Sequence, residues 1–252
     1  MKGVILAGGM GTRLFPLTKV TNKHLLPVFD KPMIYYPIQC LVNAGIEDIM
    51  LVTGGNSAGD FLQLLGNGKE FGLKDISYTY QEGHKGIADA LSMAEHFAEG
   101  EKIVVVLGDN IIEGNIRKPV AAFEKQAKGA RILLKEVDDP KRFGVATIED
   151  PSASLGTGGR VTAITEKPEN PASHFAVIGI YMYDAHVFEF IHGLAPSARN
   201  ELEITDVNNA YLEAGTLEHD VLDGWWSDAG TFESLHRVSN LIAETGANKA
   251  NL

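Results

Sequence analysis

The sequence predicts an α/β protein built on a mostly parallel sheet, and three observations predict it. Through roughly the first hundred residues, short apolar runs of strand length alternate with longer stretches at helical spacing. The apolar runs are continuous, as in strands covered on both faces. A glycine-rich turn directly follows the first of them, which is where such folds place a ligand.

Taken in order, Gly3 to Ala7 is the first strand, and the glycine turn follows within Leu6 to Leu14, LAGGMGTRL. In Met33 to Ala44 the apolar residues Ile34, Ile38, Leu41 and Val42 recur at helical offsets, with Gly45 where a helix commonly ends. Ile49 to Thr53 and Ile76 to Tyr80 read as the next strands. Ile87, Leu91 and Ala94 then repeat the helical pattern before a fourth strand, Ile103 to Leu107. After Arg131 the texture becomes strand-like, with Ile132 to Lys135, Val145 to Ile148, Val161 to Thr165 and Phe175 to Tyr183 separated by turn-forming residues. These strands are expected to extend the sheet and cover the site, and Ser152 to Gly159 reads as a surface loop between two of them. Helices return at Ile204 to Glu213 and Phe232 to Glu244, around the apolar and aromatic segment Val221 to Trp226, and Gly246 to Leu252 is expected to fray. No internal repeat is found, and the 252 residues are expected to form a single domain.

Composition narrows the function. The 22 basic and 33 acidic residues give a formal charge of -11, so no general positive field attracts nucleic acid or an anionic membrane, and any phosphate must be held by local groups. The single cysteine, Cys40, cannot form an internal disulfide and reads as a buried small hydrophobe, and no spacing of Cys with His reads as a zinc site. The apolar start MKGVILAGG is too short for a signal peptide, and no run approaches the ~18 apolar residues of a membrane span, so the expected location is the cytoplasm.

Three glycines directly after a strand let backbone N-H groups approach an anion closely, so LAGGMGTRL is read as a phosphate cradle. It fits neither the dinucleotide fingerprint, which wants a further glycine near Arg13, nor the Walker loop, which wants Gly-Lys-Ser/Thr. A nicotinamide-dependent dehydrogenase is further disfavoured because the second strand ends Val52-Thr53-Gly54-Gly55, with no acidic ribose contact. Arg13 instead brings a fixed bidentate charge into the loop. Asp109 follows the fourth strand at its carboxyl end, the position where ligands gather in an open sheet, although a lone Asp there is also a common cap.

The next segment completes the pattern GGxGTRLxPxTxxxxKxLLPxxxKP, carried by Pro16, Thr18, Lys23, Leu25, Leu26, Pro27, Lys31 and Pro32. With it the chain resembles the nucleoside-diphosphate-sugar pyrophosphorylases. The continuation MIYYPIQCLVNAGIEDIMLVTG, then VLGDN, RFGVA, EKP, LEITD and WWSDAGT, is similar to their glucose-1-phosphate thymidylyltransferase branch across nearly the whole chain. The resemblance implies a Rossmann-like, three-layer α/β/α fold with a mostly parallel mixed sheet, the nucleotide-diphospho-sugar transferase fold. Its nucleotide-binding half would be about 1-130 and its sugar-binding half about 131-252. It also implies dTTP and glucose 1-phosphate as substrates, Mg2+ as cofactor, a homo-oligomer, and a place in nucleotide-sugar synthesis such as the dTDP-rhamnose pathway. UTP or another hexose 1-phosphate, and a non-catalytic sugar-nucleotide sensor, are the alternatives.

Residue by residue, the resemblance nominates Leu6, Gly8, Gly9, Gly11, Thr12, Arg13, Lys23, Gln81, Gly86 and Asp109 for the nucleotide. Arg13, Lys23 and Lys167 are the expected catalytic groups, and Asp109 with Asp228 the expected metal ligands. Asn110, Gly144, Glu166, Lys167 and Val177 are expected at the sugar. Each has a plainer reading when taken alone. Lys23 would be a surface lysine, Asp228 a cap for the helix near Thr231, and Glu166 with Lys167 an exposed pair worth little. Tyr181 and Tyr183 read as core or wall, Trp225 and Trp226 as packing that positions Asp228, and Glu201, Glu203 and Asp206 as an acidic cluster at a helix start, with Glu203 a further sugar contact. Asp89 departs from the family pattern, where a neutral residue such as Gln is expected, and its plain reading is a solvent-facing helix residue. No nucleophile-base pair is apparent, which agrees with direct displacement by an already anionic sugar phosphate. The chain also lacks an additional C-terminal helical segment of the longer relatives, so an allosteric site built on it is expected to be missing or rebuilt.

Overall fold

The computed structural model describes residues 1-55, 57-149 and 159-249. The first third of the chain carries β1 (Lys2–Ala7), β2 (Pro27–Val28), β3 (Lys31–Pro32), α1 (Tyr35–Asn43), β4 (Asp48–Gly54), α2 (Ala58–Leu65) and β5 (Asp75–Gln81). The middle carries α3 (Ile87–Ser92), α4 (Glu95–Ala98), β6 (Ile103–Leu107), β7 (Asn110–Ile112), α5 (Arg117–Lys125), β8 (Ala130–Glu136), β9 (Gly144–Glu149) and β10 (Arg160–Glu166). The last third carries β11 (Phe175–Tyr183), α6 (Val187–His192), α7 (Ile204–Glu213), β12 (Leu217–Val221), β13 (Trp226–Asp228) and α8 (Phe232–Thr245).

β1 is buried along its whole length because it lies between two parallel partners, β4 and β6. Its side chains alternate: Val4 and Leu6 enter one apolar cluster, with α3, α6 and α7, while Ile5 and Ala7 enter the opposite one, with α1, α2 and α5. These two clusters are the α/β/α layers, and each fully buried large aliphatic side chain contributes roughly 1.5-3 kcal/mol relative to exposure. A nine-stranded sheet runs β10-β9-β11-β6-β1-β4-β5, with β8 on β11 and β12 on β8. It is parallel from β6 to β5 and antiparallel where β11 meets β6, β8 and β9. The fold is therefore the mixed, mostly parallel arrangement the sequence implies.

Several features differ from expectation. β5 is an edge strand that, among the described residues, pairs with β4 alone, and with Asp75 and Tyr80 exposed and Ser77 to Thr79 half-buried it is not buried on both faces. Gly246 to Lys249 do not fray, and the last three residues of the end expected to fray lie outside the described residues. Asn248 donates from its backbone N to Ile112 O (2.9 Å) and from Nδ2 to Tyr36 O (2.9 Å), and Lys249 N donates to Glu113 O (2.8 Å), so the tail is tied beside β7. α2 and α5 escape periodicity because each buries only two large apolar side chains, Phe61 with Leu65 and Val120 with Phe123. The antiparallel pair β7–β13 is short, and it joins the segment after β6 to the WWSDAGT segment from a distant part of the chain. The loop expected over Ser152 to Gly159 lies, up to its last residue, outside the described residues. Among the described residues no helix is long and apolar enough to cross a membrane.

Candidate active site

At the carboxyl ends of the parallel strands a cavity of about 590 Å³ opens between the glycine turn and the antiparallel half of the sheet. Of the residues the sequence nominated, Leu6, Gly8, Gly9, Arg13, Lys23, Gln81, Gly86, Asp109, Asn110, Gly144, Glu166, Lys167, Val177 and Asp228 all line it. Gly11 and Thr12 do not line it. Gly11 sits at φ +62°, and a Cβ there would come within 2.9 Å of Lys23 Cβ, so this glycine shapes the turn and lets Lys23 pack behind it. Thr12 begins a one-turn 3-10 helix, Thr12–Leu14, anchored by the buried Leu14.

The chemistry centres on two carboxylates. Asp109 is held from three sides: Lys23 Nζ pairs with its Oδ2, Asn110 Nδ2 donates to its Oδ1 at 2.9 Å, and its backbone O accepts from Ala229 N at 2.9 Å. The last bond carries the β13 segment, and with it Asp228, to the end of β6. Gly230 marks where they meet. A methyl group on its Cα would lie 2.9 Å from Arg13 Nη2, 3.3 Å from Asp228 Oδ2 and 3.5 Å from Asp109 Oδ2. Neither carboxylate is a cap: Thr231 caps α8 itself, in a reciprocal pair with Ser234.

Burial disfavours the charge on Asp109, but the Lys23 ammonium and the hydrogen bonds from Lys23 and Asn110 outweigh it and hold the carboxyl well below the usual carboxylate range. Asp228 is pushed the other way, by burial and by the Asp109 charge, with Arg142, Arg13 and Lys23 opposing. A group that finds its own charge costly beside a second carboxylate is one a cation would relieve. Among the described residues no cluster of three or more acidic, His or Cys side chains is built to hold a metal, so such a cation would be completed by its substrate.

Arg142 is a residue that sequence reasoning missed: its Nη2 lies 3.2 Å from Asp228 Oδ2, and its guanidinium lies 5.7 Å from the Phe143 ring. The signal was present, since Arg142 opens the RFGVA segment. His24 was also missed. It is buried beneath Gly108, where a Cβ would meet its ring at 2.7 Å, and its Nδ1 lies 2.7 Å from Asn22 Oδ1. Asn22 Nδ2 donates in turn to Ala7 O (3.2 Å), so this turn carries Lys23 onto the end of β1. Burial and the neighbouring Lys23 charge push the His24 imidazole down to about 3, so it stands neutral.

At the far end of the cavity Glu166 is not an idle surface residue. Its Oε2 accepts from Thr205 Oγ1 (2.6 Å) and its Oε1 from Lys167 Nζ (2.7 Å) and Arg199 Nη2 (3.2 Å). Burial opposes its charge, but the Lys167 and Thr205 hydrogen bonds prevail and lower its pKa. Arg199, which no motif signalled, also bonds Glu203 at 2.8 Å. Glu203 precedes α7 at its N-cap position without a side-chain cap bond, and it lines the cavity. Asn110 Oδ1 is committed to Trp226 Nε1 (2.7 Å) and Gly179 N (3.0 Å), so its amide braces Asp109 and retains one N-H for a ligand. Gly179 permits this because β11 is irregular between Val177 and Tyr181, and a Cβ there would strike Leu107 Cδ1 at 2.6 Å and Asn110 Nδ2 at 2.7 Å. Tyr181 lines the wall and Tyr183 is buried, stacked between Tyr181 and Tyr211.

At the near end, Gln81 and Gly86 are adjacent, with Gln81 Nε2 donating to Gly86 O (3.1 Å) and to Asp89 Oδ2 (2.8 Å). The solvent-facing reading of Asp89 is therefore wrong: its side chain turns inward onto Gln81. Gly86 has φ +100°, and any Cβ would collide with Leu202 O at 2.3 Å, so the chain here requires glycine.

Residues 2-245 match the model of the family described as nucleotidyl transferase. The chain is 44% identical over 255 residues to a glucose-1-phosphate thymidylyltransferase of Neisseria meningitidis, covering 100% of this chain and 85% of that protein. It is 43% identical over 245 residues to the protein of that name from Mycobacterium tuberculosis, covering 96% and 82%. Among solved structures, a candidate glucose-1-phosphate thymidylyltransferase of Bacillus anthracis, in complex with sucrose, superposes with a TM-score of 0.90 at 49% identity, covering 99% of this chain and 98% of that one. A UDP-glucose pyrophosphorylase complexed with UDP-glucose superposes with a TM-score of 0.82 at 25% identity, covering 96% and 98%.

Proposed function

The chain belongs to the nucleotidyl transferase family, and from that premise we propose that it transfers a thymidylyl group from dTTP to glucose 1-phosphate, giving dTDP-glucose and pyrophosphate. The observation that carries the reading is the convergence of Arg13, Lys23, Asp109 and Asp228 around Gly230, at the mouth of the glycine turn and the carboxyl ends of the parallel strands. That arrangement suits a triphosphate near the turn and a sugar phosphate approaching from the Glu166 and Lys167 end.

In this reading an anionic phosphate oxygen of glucose 1-phosphate attacks the α-phosphorus of dTTP, and the bond to the β-phosphate oxygen breaks in line with it. The nucleophile is charged at neutral pH and needs no general base. Arg13 and Lys23 neutralise charge on the departing pyrophosphate, a contribution of the kind worth about 3 kcal/mol per well-placed donor. Lys167 holds the sugar phosphate, with Glu166 fixing the lysine from the other side. Gly8 and Gly9 let the backbone approach the phosphates, while Leu6 and Val177 exclude water from the floor. Asp109 and Asp228 would hold Mg2+, which supplies charge neutralisation on the phosphate oxygens when bound. The whole described chain acts as one catalytic unit in the cytoplasm.

A second reading, UTP in place of dTTP, is favoured by the same base-facing residues, because thymine and uracil present the same hydrogen-bonding edge to Gln81 and Gly86. The test is pyrophosphate release from glucose 1-phosphate with dTTP, UTP, CTP, ATP and GTP in parallel. Highest kcat/KM with dTTP supports the reading, highest with UTP transfers the mechanism to the second one, and no turnover with any hexose 1-phosphate overturns both.

A further inference from the structure

We infer that Asp89 is a positioning residue for base selection: it locks the Gln81 amide in one orientation, so that the cavity is offered a carbonyl oxygen and bases carrying an imide N-H are favoured over cytosine. The inference rests on the nucleotidyl-transfer reading of this cavity.

Gln81 ends β5 and is 5% exposed, so its side chain has little room to reorient. Asp89 lies in the first turn of α3, three residues after the Gly86 cap, where a negative charge is favoured by the helix N-terminus. From there it reaches back to Gln81 Nε2 at 2.8 Å, while Gly86 O accepts from the same nitrogen at 3.1 Å. A carboxylate and a peptide carbonyl accept hydrogen bonds and cannot donate them. The reversed amide would set Oε1 against two oxygens and lose both bonds, which disfavours it by on the order of a hundredfold.

Both Nε2 hydrogens are thus consumed inside the protein. Gln81 Oε1 accepts no hydrogen bond from any described residue. It stands 2.8 Å from where a Gly8 Cβ would be, so the bare glycine leaves it open beside the phosphate turn. What a ligand meets is a lone acceptor. Thymine and uracil carry N3-H at the matching edge and can donate to it, whereas cytosine presents a lone pair at N3, which faces the carbonyl oxygen unfavourably. Thymine and uracil share the edge, so Asp89 has no leverage between them.

Asp89→Asn is nearly isosteric and supplies an amide that can donate to a reversed Gln81. The expected result is a fall of about tenfold in the ratio of kcat/KM for dTTP over dCTP. The change should lie in the nucleotide KM values, with kcat on dTTP and the KM for glucose 1-phosphate unchanged and the dTTP to UTP ratio unmoved. Asp89→Ala, which leaves Gly86 O alone to orient the amide, should give a smaller fall in the same direction. Equilibrium binding of dTDP, UDP and CDP to wild type and both variants gives the same ratios without turnover. An unchanged dTDP to CDP ratio in both variants overturns the inference, as does an equal shift in the dTDP to UDP ratio. If the wild-type protein binds these nucleotides but transfers none to any hexose 1-phosphate, the enzyme reading fails, while the binding ratios still decide the role of Asp89.

Discussion

Gly230→Ala separates folding from chemistry more cleanly than removing a charge. The backbone at Gly230 is outside the left-handed region, so alanine is compatible with it, and its smaller unfolded-state entropy is worth about 0.4-1 kcal/mol in favour of the fold. The new methyl would stand 2.9 Å from Arg13 Nη2, 3.3 Å from Asp228 Oδ2 and 3.5 Å from Asp109 Oδ2. The first contact is too short, but Arg13 is exposed and its guanidinium ends a flexible side chain, so it can swing away at little cost to stability. What is lost is its position. Displacing one preorganised donor from the developing charge costs about 3 kcal/mol of transition-state stabilisation, or about a hundredfold in kcat/KM. The methyl also intrudes between the two carboxylates. The assay pairs a thermal melt with pyrophosphate release: the expected result is Tm held or raised with kcat/KM down about a hundredfold. Turnover within threefold of wild type would refute the claim that the reacting phosphates pass over this glycine.

Three further outcomes follow from the same structure. His24 has its pKa depressed from an ordinary 6.5 to about 3, so the unfolded chain binds the proton that the folded one refuses. Stability is then full above pH 6.5 and falls as pH drops toward 3, by up to about 1.4 kcal/mol per unit, and urea midpoints at pH 7 and pH 5 should show a steeper decline in wild type than in His24→Gln. Thr231→Ala removes half of the α8 capping pair and should cost about 1 kcal/mol in a urea titration while leaving the nucleotide KM unchanged. Chelation of divalent cations should abolish pyrophosphate release and leave the melting temperature of the ligand-free protein unmoved, because Asp109 is already satisfied by Lys23 and Asn110; a large fall in Tm on chelation would instead mark a structural metal.

The strands were legible wherever one physical rule dominated. β6 is found at its predicted bounds because four of its five residues are fully covered, so the apolar run and the strand are the same object. The rule weakens at edges. β12 has no fully buried residue, and its sequence carries polar residues that periodicity reads as loop, whereas β5, also at an edge, was still legible from Ile76 to Tyr80. α5 contains Pro119 and three basic residues among nine, and it is held by what it packs against and not by its own pattern. The stretch Gly246 to Lys249 was misjudged for a similar reason. Its order comes from hydrogen bonds to Tyr36, Ile112 and Glu113, partners more than a hundred residues away that no local reading can see.

The site divides in the same way. Most residues nominated in contiguous motifs fall in the cavity because the motif and the wall coincide: the glycine turn follows β1, VLGDN ends β6 and WWSDAGT contains β13. The residues that were missed act through a partner elsewhere in the chain. Arg142 needs Asp228, Arg199 needs Glu166 and Glu203, and His24 needs Gly108 to leave space for its ring. Asp89 is the instructive case, since as a helix residue it reads as solvent-facing and as a departure from the family pattern it reads as a defect. Its meaning emerges only when Gln81, at the end of another element, is seen donating to it. A charged residue that breaks a pattern inside a site is therefore best weighed by what its neighbour can no longer do, and for Gln81 that is to turn its nitrogen toward a base.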